Sequence, residues 1–133
     1  GTRVMRSAPL IFMLLLASCG GTTAPTPDQV RAALTGAGAS NIHDQASEDS
    51  VPVPRSFTTH QAFTIASVAP ACGQYFICSS ARNCDAIFAY YDALKALAGP
   101  YTYRSRSGLV VVQLNKGLTP GEAGAFATAV EGL

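Results

Sequence analysis

The chain has 133 residues, nine Lys or Arg against eight Asp or Glu, a formal charge of +1 and 48% hydrophobic residues. That length supports a single domain with a modest core. The near balance of charge, with no basic patch, argues against nucleic acid as a partner.

Arg3 and Arg6 precede Pro9–Ala17, nine consecutive apolar residues. A bilayer-spanning helix needs about 20, because each residue rises only about 1.5 Å. A basic start, a short apolar core and small residues after it predict an export signal over residues 1–18. Translation starting at Met5 would keep Arg6 and the whole apolar run. Leu16-Ala17-Ser18-Cys19 follows that run directly and resembles the lipobox of bacterial lipoproteins. The resemblance implies a diacylglyceryl thioether on Cys19 and cleavage just before it. Each buried methylene of such an anchor contributes about 0.8 kcal/mol. Gly20 stands where some inner-membrane lipoproteins carry Asp, which tilts the expectation towards an outer membrane or an outer cell surface. The competing readings are an unlipidated secretory signal and a buried N-terminal helix that ends in an unrelated cysteine. Loss of Arg3 and Arg6 would turn the formal charge from +1 to −1.

Residues 19–25 read as the lipidated cysteine and a short tether of small residues and proline, and 26–133 as one α+β domain. Thr26, Pro27 and Gln29 predict a capped helix start, with Val30, Ala33 and Leu34 on the buried face and Gly36 as a stop. The polar residues 37–60, broken by Pro52 and Pro54, predict a surface loop with a brief extended piece near Asn41–His43. Alternation in "AFTIASVAP" predicts a strand, and "QYFICS" a second, joined as a hairpin through Pro70 to Gly73. Ser79 or Ser80 caps the next helix, whose stripe is Cys84, Ile87, Tyr91, Leu94 and Ala98 and whose stop is Gly99-Pro100. "YTYRSRSGLVVVQLN" predicts a second hairpin turning at Ser105–Gly108. Thr119, Pro120 and Glu122 predict a final capped helix that buries Ala123, Phe126, Ala127 and Val130. The expected fold is a four-stranded, mostly antiparallel sheet, two hairpins joined by a helix, with the helices packed on one face.

The stretch from "GQYFICSSARNCDAIFAYYDALK" through "VVVQLN" to "TPGEAGAFATAVEGL" also resembles other short bacterial lipoproteins. They too place a strand, a helix with a Tyr or Phe pair, an apolar strand and a final Pro/Glu-capped helix. That resemblance implies the fold and the envelope location and no activity.

Three cysteines remain after Cys19. An exported domain can keep a disulfide, and an odd number leaves one thiol over. Cys78 and Cys84, at a strand end and in the following helical turn, are the favoured pair; Cys72–Cys78 and Cys72–Cys84 stay open. A bridge would contribute roughly 2–3 kcal/mol. His43 and His60 read as solvated loop residues in no ligand spacing, so no metal site is expected. A thiol at a helix start can be nucleophilic, yet no Cys-x-x-Cys pair or neighbouring His supports catalysis here. Tyr90, Tyr91, Tyr101 and Tyr103 read first as a helix–strand packing seam and second as a recognition surface. Asp85 and Asp92 lie seven residues apart on one helix face, about 10 Å, and read as a solvated face rather than as paired carboxylates.

Together these features predict a non-enzymatic, lipid-anchored protein of the bacterial cell envelope, without cofactor, that binds an envelope protein or plays a structural part. A small-molecule or peptide sensor with a pocket between sheet and helices is the alternative, and a thiol-dependent enzyme stands behind it.

Overall fold

Residues 23–45, 57–66 and 72–133 are described by the computed structural model. The expected export signal and Cys19, with most of the expected tether, lie outside them. So do Pro52, Pro54 and the Pro70 end of the first hairpin loop.

Helix α1 (Pro27–Ala37) starts on Thr26, whose hydroxyl accepts from the Gln29 N–H while the Gln29 side chain accepts from the Thr26 N–H. It ends two residues later than Gly36 suggests, on Gly38 at φ 123°, a conformation that favours glycine. Strand β1 (Ala39–Asp44) follows at once and pairs antiparallel with β2 (Phe57–Ile65), which pairs with β3 (Cys72–Cys78). Helix α2 (Ala81–Ala93) is capped by Ser80, and a single turn, α3 (Lys95–Ala98), continues from it after a break at Leu94. Strands β4 (Tyr101–Arg104) and β5 (Val110–Leu114) form the second hairpin. Helix α4 (Pro120–Glu131) opens on the Thr119–Glu122 capping box.

The sheet has five strands in the order β1-β2-β3-β5-β4, every pair antiparallel. Because β5 lies between β3 and β4, those two run parallel, and α2 is the crossover that carries the chain from one to the other. Two expectations are corrected here. The sheet is five-stranded because residues 39–44 extend and pair with 61–65, with Asp44 opposite Gln61 and His43 opposite Ala62, while β2 itself begins earlier, at Phe57. Phe57 anchors that early start by packing edge-on against Phe76, 5.4 Å between ring centres.

The helices, moreover, cover both faces of the sheet. Tyr75, Ile77, Val110, Val112 and Leu114 point towards α1 and α4, where they meet Val30, Leu34, Phe126 and Val130. Their alternates Phe76, Cys78 and Val111 point the other way, towards Cys84, Ile87 and Tyr91 of α2. Tyr75, Phe76, Val110 and Val111 are all 0% exposed, so the central pair is apolar on both sides and one helical layer cannot hide it. Phe63 stacks on Phe126 at 5.9 Å, closing the larger core.

Gly99 brings the end of α3 onto β5. Its φ is 121°, and a Cβ there would lie 2.6 Å from the Lys116 nitrogen and 2.7 Å from the Leu114 carbonyl oxygen. Neither backbone atom can yield, so Gly99→Ala should cost at least about 2 kcal/mol. A urea titration should show a lower midpoint at unchanged slope; an unchanged midpoint would refute the close approach.

Candidate functional site

The cysteines were the strongest chemical signal in the chain. Cys78 closes β3 and Cys84 lies in the first turn of α2, with Cα atoms 5.6 Å apart and sulfurs at 2.08 Å. The pair is bridged and buried, Cys78 at 2% and Cys84 at 0% exposure. Arg104 of β4 holds the same end of α2. It donates to the Ala81 carbonyl at 2.7 Å, to the Gly108 carbonyl at 3.1 Å and to Asp85 at 2.5 Å. Asp85 is exposed, so that ion pair contributes under about 1 kcal/mol. The carbonyl bonds matter more, because they tie the helix start and the β4–β5 turn to one guanidinium. Asp85 thus faces Arg104 rather than Asp92.

Cys72, the remaining thiol of the described residues, is half-buried and accepts the Asn115 amide N–H at 3.1 Å. Alternation puts it on the α2 side of the sheet, on the face that also carries His60. No shared partner joins the two. His60 Nε2 donates to Gln74 Oε1 at 2.7 Å, while Cys72 is engaged by Asn115. His43 is exposed on β1, and its Nδ1–H donates to the Asn41 carbonyl at 2.8 Å. Among the described residues no group of three or more His, Cys, Asp or Glu is placed to hold a metal ion.

His60 is not the solvated loop histidine that its polar surroundings in sequence predict. Its ring stacks on Phe76 at 4.0 Å and meets Phe57 edge-on at 5.2 Å. From it a chain of side-chain amides crosses the sheet. Gln74 Nε2 donates to Gln113 Oε1 at 2.9 Å, and Gln113 Nε2 donates to the Leu114 carbonyl at 2.9 Å and the Ala98 carbonyl at 3.1 Å. Gln113 is 1% exposed, and it satisfies a carbonyl that the end of α3 leaves without a helical partner. Burial pushes the Tyr91 hydroxyl up to about 12, with the nearby Gln74 side chain opposing the rise. The Thr102 hydroxyl, buried on the neighbouring strand, has no partner.

A second polar cluster lies on the opposite face. The Tyr75 hydroxyl donates to Gln61, which also accepts from Arg31 at 3.3 Å and donates to Asp44 at 2.9 Å. Arg31 is paired with Asp28. This cluster joins α1 to β1, β2 and β3. Burial raises the Tyr75 hydroxyl above its usual range, and the nearby Arg31 charge opposes the rise. Sequence reasoning singled out none of Gln61, Gln74, Gln113 or Arg104. A signal existed for Gln113, a lone polar residue inside the apolar run 110–114, where a buried amide needs partners.

The tyrosines do not form one cluster. Tyr90 and Tyr91 meet at 5.0 Å on the α2 side, while Tyr101 and Tyr103 stack at 6.5 Å and pack against the core on the α4 side. The sheet separates the pairs because Tyr101 and Tyr103 lie opposite Leu114 and Val112, which face α4. Packing occupies Tyr91, at 7% exposure.

Reducing the Cys78–Cys84 bridge, or replacing both residues by alanine, should lower stability by roughly 2–3 kcal/mol. Non-reducing peptide mapping should recover these two cysteines in one linked species; recovery of Cys72 in the link would overturn the pairing. Burial holds the His60 imidazole below its ordinary 6.5, the Gln74 bond opposing in part, so the folded protein prefers the neutral ring. The unfolded chain then binds more protons in acid. His60 therefore adds stability that is complete above pH 6.5 and is lost as pH falls through that value towards the lower folded one. His60→Gln should flatten the decline in denaturant midpoint across this window; an unaltered slope would show that His60 does not cause it. No family model, curated protein or solved structure matches the chain.

Proposed function

We propose that this protein is a lipid-anchored component of the bacterial cell envelope with a non-enzymatic role, binding an envelope protein or serving a structural purpose. The observation that carries the reading is Leu16-Ala17-Ser18-Cys19 placed directly after a short apolar run, with a tether and a capped helix beyond it. The cleaved protein would begin at Cys19 and sit on an outer membrane or on the outer face of a plasma membrane. No described helix is long and apolar enough to cross a membrane, so the lipid would be the anchor for this part of the chain.

Two further observations support the reading. A buried Cys78–Cys84 bridge suits a compartment in which thiols are not kept reduced. Among the described residues, three side chains that could do chemistry are engaged in holding the fold: His60 by Gln74 and two rings, Cys72 by Asn115, Arg104 by backbone carbonyls. The sensor alternative draws less support. The spaces between sheet and helices are filled by Tyr75, Phe63, Phe126 and Leu114, each 1% exposed or less. A pocket for a small molecule needs an apolar hollow with converging polar groups.

Replacing Cys19 by Ser and feeding cells a clickable fatty acid tests the anchor. The wild-type protein should carry the label and fractionate with membranes, and Cys19→Ser should lose both. Labelling that persists in the variant would sink the reading.

A further inference from the structure

Thr23, the first described residue, lies four positions beyond Cys19, and from there the chain is held on the domain. Ala24 packs against the larger core, Pro25 is half-buried, and Thr26 is fixed by its capping box. Only Gly20, Gly21 and Thr22 remain between the anchor and the held segment. Even fully extended, four steps of chain span at most about 14 Å. A domain of this size has a radius of gyration of about 13 Å, which puts its far side roughly 30 Å from any point on its surface. The tether cannot turn that far side to the bilayer.

The surface at the root of the tether has a consistent chemistry. Ala24, Pro25, Gln29 and Ala32 meet Leu133, beyond the end of α4, around a shallow open groove whose lining carries no ionisable side chain. Desolvating a charge against lipid is costly, whereas small and amide side chains can enter the headgroup zone without that penalty. Asp28 and Arg31, on the same helix, neutralise each other as an ion pair. Glu131 is exposed nearby and would stay at the wet margin.

We propose that the start of α1 and the end of α4 form the membrane-facing surface of the anchored protein, seated on the headgroups of the bilayer that holds its lipid. The inference rests on the lipid-anchor reading. It leaves α2, on the opposite face of the sheet, turned away from the bilayer, so that any envelope partner meets α2 or a sheet edge before it meets α1.

The chain contains no tryptophan, so a single one reports its own position. Ala32→Trp places it at an exposed site on α1, and Leu97→Trp places it on α3, where Leu97 is 74% exposed. The full-length lipidated variants would be reconstituted in phosphatidylcholine vesicles whose acyl chains are brominated near the headgroup. Quenching at position 32 should be several-fold stronger than at position 97. Thr23→Trp, also exposed, should follow position 32 and guards against a local effect of one substitution. Equal quenching at all three positions, or stronger quenching at 97, would overturn the proposed orientation. Mass spectrometry of the same preparations separates the two claims. A lipidated protein with the wrong quenching order refutes this inference alone. A chain with no lipid on Cys19 refutes the anchor and this inference with it.

Discussion

The paired strands β3 and β5 must hide both of their faces. Tyr75 and Ile77 look one way and Phe76 and Cys78 the other, and the same division separates Val110, Val112 and Leu114 from Val111. A pair apolar on both sides can be neither a sheet edge nor the floor beneath a single helical layer. Each needs a strand on its outer side and a helix above and below. Strand β2 with β1 flanks β3, strand β4 flanks β5, α1 and α4 roof one face, and α2 roofs the other. The crossover through α2 follows from the same need, since it is the chain's passage from β3 to β4 that brings a helix over the second face.

The parts of this arrangement written in local chemistry could be read directly. Thr26 with Gln29 and Thr119 with Glu122 both form the reciprocal caps that their spacing predicts, and Ser80 starts α2. Cys78 and Cys84 pair because a strand end and the next helical turn bring them together without help from distant parts of the chain. What could not be read depends on partners far away in sequence. Strand β1 is an edge strand with Ser40, Asn41, His43 and Asp44 exposed, so only Ala39 and Ile42 carry an apolar signal. Its pairing is settled by β2, some twenty residues on. Continuous runs such as "VVVQL" show that a strand is buried but not how many layers bury it. The choice between one helical face and two therefore had no local trace.

The buried amides explain how such a sheet keeps its register. Apolar side chains slide past one another at small cost, and a strand shifted by one residue would exchange its two faces. Gln61 and Gln113 resist that shift, because each is 8% exposed or less and has partners that exist only in the observed alignment. Gln113 requires Gln74 on one side and the Ala98 carbonyl on the other. Gln61 requires Asp44, Arg31 and Tyr75. A slip would leave several buried polar groups unpaired, at about 1–3 kcal/mol each. Neutral amides serve this purpose at lower desolvation cost than buried charges would. The two networks lie on opposite faces, one per core, and His60 extends the first to the edge of the aromatic patch under α2.

The two cores are unequal, and the disulfide lies in the weaker one. Among the described residues, fourteen buried side chains form the cluster beneath α1 and α4, while six form the cluster beneath α2. Helices α1 and α4 also pack on each other, whereas α2 lies alone on its face, with Ile87 and Tyr91 as its main apolar anchors. Its chain ends need holding by other means. Cys84 and Arg104 fasten its start, and the approach of Gly99 to Leu114 and Lys116 fastens the turn that follows its end. A covalent link at this place stabilises the one layer whose burial is least able to hold it, and such a link persists where thiols are not kept reduced. The bridge thus holds the half of the core that packing alone leaves thin, and the proposed export of the chain would carry it to a compartment where such a link persists.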